Sequence, residues 1–454
     1  AVEFTGDGVA SLSISERLTI ANMTTEWGAL VGIFPVDDIT IEWLKKRTLF
    51  VEKRGLAGVP SDADGKGHHP RLNMERIKHL EENLPQADPD AFYAKELMLD
   101  LSSVSPHVSG PNHVKIMTPI SEIAKRRIRI QKAYLVSCVN SRVEDLAAAA
   151  KVVKGKKVAA GVEFYIAAAS SEVQAESERR GDWQTLLDAG AIPLPPGCGP
   201  CIGLGKGLLQ DDEVGISVTN RNFKGRMGSR NAEAYLASPA VVAASAVAGY
   251  ITGPDEVIAV EINGDIRSNE KLHVKTDSIT IIEGFPRKIS GDLIFCHQDN
   301  LNTDGIYPDD FTPVQQAGVV MENYDPEFGK IVKEGDILVG GFNFGTGSSR
   351  EQAATALKYR GIRLVLAGSF SETYKRNAIN NGFLAIEASE LVRDLKAKFG
   401  TDKLTVSTGI KATIDFTKAT LKADGKEYRL SPVGAAAQKL IVAGGLEKRV
   451  KGKS

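Results

Sequence analysis

The chain has 454 residues, of which 42% are hydrophobic and 25% are charged, and its formal net charge at pH 7 is −1. This composition is typical of a folded chain long enough for several domains, and the near-zero charge argues against a basic surface for nucleic acid or an anionic membrane. No stretch approaches the ~18 apolar residues of a membrane span. Four cysteines are too few for a disulfide scaffold and favour a reducing compartment.

The pattern along the chain predicts an α/β protein with several domains. Between residues 115 and 251, short β-rich runs alternate with helical patterns, which indicates a parallel sheet with ligands at the carboxyl ends of its strands. We predict multi-domain architecture built from doubly wound, three-layer α/β domains around a central site. The predicted divisions are residues 1–100, the remainder of an N-terminal α/β domain; 101–252, a second α/β domain; 253–284, a linker; and 285–454, a C-terminal α/β domain.

The first segment with candidate functional residues is 11–31, where apolar residues recur at near-helical spacing and predict a helix. Asn22 and Glu26 are four residues apart, so this helix would place both side chains on one face. The alternative for Glu26 is a solvated helix charge paired with nothing.

Three cysteines form the most informative pattern in the chain. Cys138 follows the apolar run 133–136, predicted as a buried strand, and precedes a predicted helix whose N-terminus favours a thiolate. Cys198 and Cys201 form a C-x-x-C in a turn rich in Gly and Pro, where both sulfurs can reach one metal centre. Spacing leaves open an iron–sulfur cluster, a zinc site completed by Cys296 or the histidine after it, and redox or structural thiols.

Two further motifs favour anionic ligands. Arg221 and Arg226 lie five residues apart in a predicted turn, which suits bidentate binding of two carboxylates; solvated loop arginines are the alternative. The Gly/Ser loop 345–351 lies between a predicted strand and a predicted helix, so backbone amides, the helix dipole and Arg350 would attract an anion. A serine that merely caps a structural helix is the alternative there.

Together these motifs suit reversible dehydration of a substrate with several carboxylates. Removing a proton beside a carboxylate builds negative charge that arginines and amide donors stabilise. A leaving hydroxyl needs a Lewis acid, which an iron without a fourth protein ligand would supply. A serine beside Arg350 could act as the base.

At these residues the chain resembles the aconitase superfamily, and the resemblance covers essentially its whole length. The sequences that follow the motifs at 197–203 and 220–226 are more similar to the fungal homoaconitase branch than to isopropylmalate isomerases or citrate aconitases. The matching motifs stand in family order: Ser-Cys-Val-Asn-Ser-Arg at 137–142, Gly-Cys-Gly-Pro-Cys-Ile-Gly at 197–203, Asn-Arg-Asn-Phe-Lys-Gly-Arg at 220–226 and Gly-Ser-Ser-Arg-Glu at 347–351.

The resemblance implies a [4Fe–4S] cluster whose fourth iron binds the substrate. It also implies that residues 101–252 form the cluster-binding domain and that 285–454 form a swivelling domain. The resemblance implies that the cluster is held by Cys138, Cys198 and Cys201. It implies that the substrate is bound by Asn22, Arg221, Arg226, Ser349 and Arg350. It further implies that Ser348 is the catalytic base and that Glu26 faces the cluster and its bound water.

The activity implied by the resemblance is a hydro-lyase that isomerises homocitrate to homoisocitrate through cis-homoaconitate, in lysine biosynthesis in the mitochondrial matrix. Isopropylmalate isomerase or citrate aconitase activity, and a cluster-free regulatory or binding protein, are the alternatives. The expected partner is a tricarboxylate, with no nucleic acid or membrane. Family members carry a long stretch ahead of the residue matching Ala1, so we expect the site to need a missing N-terminal segment or a partner chain.

Overall fold

The computed structural model describes residues 1–55, 69–254, 261–268, 279–307, 317–347, 350–400 and 402–452. In this part of the chain no helix is both long enough and apolar enough to cross a membrane. The chain divides into two compact units. The N-terminal unit comprises Val2–Met23 and Gly32–Leu272, and the C-terminal unit comprises Ala1, Thr24–Val31 and His273–Ser454.

The N-terminal unit confirms the predicted alternation of strands and helices, and the helices predicted from the pattern at 143–153, 171–180 and 239–248 are α5, α6 and α8 below, with the same bounds. Its strands are β1 (Val2–Glu3), β2 (Gly32–Ile33), β3 (Lys95–Leu99), β4 (His107–Ser109), β5 (Met117–Pro119), β6 (Lys132–Val136), β7 (Glu163–Ala167), β8 (Ile192–Pro193), β9 (Val214–Ser217), β10 (Glu233–Leu236) and β11 (Gly264–Ser268). Its helices are α1 (Ile14–Met23), α2 (Asp38–Arg54), α3 (Met74–Glu82), α4 (Ile120–Ile123), α5 (Val143–Val153), α6 (Ser171–Arg180), α7 (Asp182–Asp188) and α8 (Pro239–Ala248).

The main sheet of this unit has the order β5-β4-β10-β9-β6-β7-β8, in which the strands from β10 to β8 run parallel. The winding direction reverses at β6, because β7 and β8 follow on one side and β9 and β10 on the other. Ligand crevices form at the carboxyl ends of strands beside such a reversal. The loops after β6 and β9 are therefore the expected place for a site in this unit.

The two faces of this sheet are covered differently. Ala133 and Leu135 of β6 belong to a core shared with α5, α7 and α8. Tyr134 and Val136 alternate to the opposite face and share a core with Cys201 and other residues from the loops that follow β8 and β9. The cysteine turn is thus part of the hydrophobic packing of the sheet.

One expectation for the first helix is wrong. The helix does not continue to residue 31: α1 ends at Met23, and Thr24–Trp27 forms a 3-10 turn that belongs to the C-terminal unit. Gly28, at φ 83°, ends this turn as a Schellman motif, with its amide donating to the Thr25 carbonyl and the next amide to the Thr24 carbonyl. Asn22 and Glu26 therefore do not share the face of a single α-helix.

Helix α1 is held in the N-terminal unit by an ion pair whose arginine is buried. Arg17 donates from its two Nη atoms to both carboxylate oxygens of Asp37, at 2.8 and 2.6 Å, and from Nε to the Leu12 carbonyl. The Arg17 side chain is 4% exposed and that of Asp37 is 28% exposed. The hydrogen bond from Arg17 holds the pKa of Asp37 far below its ordinary value.

We expect Asp37→Asn to lower the free energy of unfolding by about 3 to 5 kcal/mol, because it leaves the buried guanidinium of Arg17 without its counter-charge. Since the pKa of Asp37 is lowered by folding, this stabilisation is present above the unfolded pKa of ~3.9 and is lost as the pH falls below it. Chemical denaturation over an acid pH series measures both effects. Glu81→Gln in the exposed pair with Lys45 is the control and should cost under about 1 kcal/mol; equal losses would contradict the prediction.

The C-terminal unit is also α/β and confirms the predicted strand and helix that flank the Gly/Ser loop. Its strands are β12 (Lys288–Cys296), β13 (Ile337–Gly340), β14 (Leu364–Ala367), β15 (Leu384–Glu387), β16 (Thr405–Asp415), β17 (Thr420–Ala423) and β18 (Lys426–Arg429). Its helices are α9 (Thr303–Ile306), α10 (Phe328–Ile331), α11 (Gln352–Tyr359), α12 (Glu372–Asn380), α13 (Ser389–Phe399), α14 (Ala435–Ala443) and α15 (Leu446–Lys451).

The sheet of the C-terminal unit has the order β15-β14-β13-β12-β16-β17-β18, with β12 to β15 parallel and the rest antiparallel. Helices α11 and α12 pack on one face and α13 on the other, which makes three layers. The predicted α/β class is therefore confirmed. The loops after β12, β13 and β14 leave the same edge of the sheet, because these parallel strands share their direction.

The segment predicted as a linker, 253–284, contains strand β11. This strand pairs with β3 in an antiparallel two-stranded ribbon. The finer division into four parts stays a prediction.

Candidate active site

The structure brings three thiols together at the carboxyl edge of the N-terminal sheet. Cys138 follows β6, whereas Cys198 and Cys201 follow β8 and are joined by a 3.0 Å hydrogen bond from the Cys201 amide to the Cys198 carbonyl. Cys138 lies close enough to Cys198 to raise the pKa of its thiol, and both thiols act electrostatically on Cys201. Cys138 is exposed, Cys198 is half-buried and Cys201 is buried.

The electrostatics of these thiols fit a metal-type group. The pKa of Cys201 is raised to about 11, chiefly by burial; the other two thiols also raise it, while Arg226 and the Asn220 amide lower it. Burial and the neighbouring Cys138 also raise the pKa of Cys198. Three thiolates side by side repel one another, so they need a strongly cationic ligand to be held together.

The donor set of three thiols suits an iron–sulfur cluster, whose irons take cysteine thiolates. In the described part of the chain, no group of three or more His, Cys, Asp and Glu side chains is arranged to hold one metal ion. The thiolates of a cluster bind separate irons and need not converge on a single point. The fourth cysteine, Cys296, is fully buried in the C-terminal unit with its Sγ 3.7 Å from the Thr405 hydroxyl.

Hydrogen bonds of asparagine side chains join the end of α1 to the loops after β6 and β9. Asn220, after β9, donates from Nδ2 to the Oδ1 atom of Asn22 at 2.5 Å, and its own Oδ1 accepts from the Ser137 hydroxyl at 3.0 Å. One turn earlier on α1, the Thr19 hydroxyl donates to the Asn140 side chain at 2.7 Å. The residues that flank Cys138 and the predicted substrate-binding Asn22 thus belong to one hydrogen-bonded network.

The two predicted arginines of the N-terminal unit follow β9. Arg226 donates from Nε to the carbonyl of Cys201 at 3.0 Å, which fixes its guanidinium relative to the cysteine turn. Arg221 is half-buried, and its carbonyl accepts from the Thr219 hydroxyl at 3.2 Å. Both arginines therefore lie on the loop that follows β9, the strand next to β6, where the winding of the sheet reverses.

Glu26 is 3% exposed and lies in the C-terminal unit. Its 3-10 turn contacts the loop after β13: the Thr346 hydroxyl donates to the Thr25 carbonyl at 3.1 Å, and Asn343 contacts the Glu26 carbonyl at 3.4 Å. This loop is the start of the predicted Gly/Ser anion-binding loop. The structure therefore places the turn that carries Glu26 in contact with that loop.

Arg350 lies in an ion pair that the sequence did not predict. Its Nη1 atom is 2.6 Å from Oδ1 of Asp304 on α9, and the two side chains are 13% and 15% exposed. Asp304 had no predicted role; the available signal was an acidic residue in a polar loop directly after a buried strand. Ser348 and Ser349 lie outside the described residues.

The N-terminal unit thus carries three adjacent thiols and two arginines on loops beside one sheet. The C-terminal unit carries a glycine-rich loop after β13 and the half-buried Arg350. These are features of an enzyme site in an α/β protein. Two family models match the chain: the aconitase family (aconitate hydratase) over residues 1–249 and the aconitase C-terminal domain over residues 266–391. The chain therefore belongs to the aconitase family and is a hydro-lyase, which confirms the resemblance.

Similar curated proteins are mitochondrial homoaconitases. The chain is 50% identical to that of Mycosarcoma maydis over 99% of this chain and 68% of the relative, and 51% identical to that of Debaryomyces hansenii over 99% and 67%. The chain thus spans about two thirds of the length of these relatives. A solved 3-isopropylmalate dehydratase of Methanocaldococcus jannaschii is 34% identical over 37% of this chain and 95% of that chain, with a TM-score of 0.32.

Proposed function

We propose that this chain isomerises homocitrate to homoisocitrate through cis-homoaconitate, as part of lysine biosynthesis in the mitochondrial matrix. The observation that carries the proposal is the group of three adjacent thiols with Arg226 bonded into the same turn. Relatives named mitochondrial homoaconitases, which share about 50% of their aligned residues with nearly the whole of this chain, support the proposed substrate and compartment.

Cys138, Cys198 and Cys201 would hold a [4Fe–4S] cluster. When bound, a cluster with three cysteine ligands supplies an open iron position that acts as a Lewis acid on a hydroxyl group. Arg226 and its neighbour Arg221 bind the carboxylates of the tricarboxylate and orient the carbon that loses its proton.

Ser348 acts as the base that removes the proton next to a substrate carboxylate. Ser349 and Arg350 stabilise the negative charge that develops there, and the ion pair with Asp304 keeps the guanidinium of Arg350 in place. Asn22 donates to a substrate oxygen, and Glu26 orients the water that is released and later added back. Returning the proton and the hydroxyl to exchanged carbons gives the isomer.

Activity assays of the anaerobically reconstituted protein test the proposal. We expect turnover of homocitrate with a kcat/KM at least roughly tenfold above those for citrate and isopropylmalate, because a site built for one chain length discriminates by about that factor per methylene. Ser348→Ala should lower kcat by roughly 100- to 10,000-fold, the usual contribution of a positioned base.

The assay is run on the chain alone and together with a polypeptide that supplies the N-terminal stretch of its relatives. Turnover that requires this polypeptide would support the predicted partner segment. Preference for isopropylmalate or citrate would contradict the proposed substrate, and wild-type kcat in Ser348→Ala would contradict the proposed base.

A further inference from the structure

We propose that Thr346 and Asn343 are positioning residues that hold the Glu26 turn in place for the reaction. The inference rests on the proposed catalytic role of Glu26. It concerns contacts within the C-terminal unit, to which the turn Thr24–Trp27 and both positioning residues belong.

Thr346 makes the strongest of these contacts. Its side chain is buried, at 2% exposure, and its hydroxyl donates to the Thr25 carbonyl at 3.1 Å, with the Glu26 carbonyl also within 3.4 Å. The Thr25 carbonyl already accepts from the Gly28 amide at the end of the turn, and the second lone pair of a carbonyl oxygen lets it accept from the Thr346 hydroxyl as well. The Thr346 hydroxyl therefore reaches the carbonyl of the residue before Glu26 and the carbonyl of Glu26 itself.

The backbone conformation and hydrogen bonds of Asn343 place its side chain against the Glu26 carbonyl. It has a positive φ of 55°, and its Nδ2 atom lies 3.0 Å from Oδ1 of Asn300 and 3.4 Å from the Glu26 carbonyl. Asn300 also has a positive φ, 56°, and its amide donates to the Phe342 carbonyl at 2.7 Å. The loops after β12 and β13 are therefore joined at the place where the turn docks.

Gly28, at the end of the turn, also contacts Asn343 and the start of α12. A Cβ at Gly28 would lie 2.3 Å from Oδ1 of Asn343, and the φ of Gly28, 83°, is one that other residues rarely adopt, so glycine is favoured here. The Gly28 carbonyl accepts from the Glu372 amide at 3.0 Å, which satisfies one of the amides that the first turn of α12 leaves unpaired. Contacts from loops after β13 and β14 thus fix the backbone on both sides of Glu26.

The Gly-Phe-Asn-Phe-Gly-Thr-Gly stretch at 341–347 therefore has a different function from the residues that follow it. The residues after it are proposed to bind the substrate anion. Asn343 and Thr346 within it act on Glu26 instead, because they fix the carbonyls of its turn. A carboxylate misplaced by about 1 Å can lose roughly 100-fold in rate, so loose anchoring would be seen in kcat.

Thr346→Val tests the proposal because it keeps the shape of the side chain and removes the hydroxyl. We expect amide hydrogen exchange at Gly28, Ala29 and Glu372 to become roughly fivefold faster, the effect of losing one buried hydrogen bond. We also expect kcat of the reconstituted enzyme to fall by roughly the same factor or more with KM unchanged. Adding Thr346→Val to Glu26→Gln should then lower kcat no further.

Thr355→Val is the matched control, since its hydroxyl contacts the Gln352 carbonyl in its own helix α11, at 3.4 Å. Asn343→Gly is a second variant that keeps the positive φ while removing the side chain, and it should accelerate the same amides. Unchanged exchange at these amides in both variants, or kcat losses that add to that of Glu26→Gln, would overturn the proposal. Wild-type kcat in Glu26→Gln would instead refute the role of Glu26, while exchange still decides whether the turn is anchored.

Discussion

Replacing Cys201 with serine is expected to remove the iron from the reconstituted protein and to lower kcat by roughly 1,000-fold or more. Cys201 is the buried member of the three thiols and lies in the turn that Arg226 contacts. A serine hydroxyl does not ionise at neutral pH and cannot replace a soft thiolate ligand. Losing a Lewis acid that supplies ~4 kcal/mol of transition-state stabilisation corresponds to about that factor in rate.

Iron and acid-labile sulfide content, together with the visible absorbance of the brown protein, measure the first part of this expectation. Cys296→Ala is the control, because Cys296 is buried in the core of the C-terminal unit and should affect only stability, by about 1 kcal/mol. Full iron content in Cys201→Ser would contradict the proposed ligand set. Stoichiometric zinc without iron in the wild-type protein would support the zinc interpretation instead.

Replacing Arg226 with lysine is expected to lower kcat/KM by roughly 10- to 150-fold. Lysine preserves the charge but has neither the planar fork for a carboxylate nor the Nε donor that reaches the Cys201 carbonyl at 3.0 Å. Hydrogen bonds to charged groups contribute about 1.5 to 3 kcal/mol each, which gives the expected range. Steady-state kinetics on protein with measured iron content separates loss of substrate binding from loss of the cluster.

Arg230→Lys is the matched control in the same loop, because Arg230 is exposed and has no proposed role at the site. It should change kcat/KM by less than about twofold, as surface substitutions usually do. Equal effects of the two substitutions would show that Arg226 contributes only charge. A fall in iron content in Arg226→Lys alone would show that the arginine supports the cysteine turn.

Local features of this protein were predictable where their determinants are close in sequence. Helix α6 has its predicted bounds because Ser170 caps it, accepting from the Val173 amide at 3.3 Å, and Gly181 ends it at φ 81°. Strand β6 was predictable because a short apolar run followed by a polar loop is typical of a buried parallel strand. The motif around each cysteine was visible for the same reason, and the winding of the sheet then places the three thiols at one edge.

The position of Glu26 was not predictable from spacing. A period of four residues predicts a shared helix face with Asn22, yet α1 ends at Met23 and the next turn packs in the C-terminal unit. The ending is visible locally only as Gly28; the docking depends on Thr346, 321 residues away from Thr25 along the chain. The partner of Arg350 was missed for a similar reason, since Asp304 lies on α9, 46 residues earlier in the chain and after a different strand.

The sequence by itself therefore determined the α/β class, the bounds of several helices and the position of strands such as β6, and the membership of a family, because hydrophobic period, capping residues and motifs are local properties. The tertiary structure decided which unit carries Glu26, what holds Arg350 and how Arg226 joins the cysteine turn. These are hydrogen bonds and ion pairs between loops that leave different strands. Their partners are chosen by the order and direction of the strands in the sheet, which side-chain spacing along the chain does not specify.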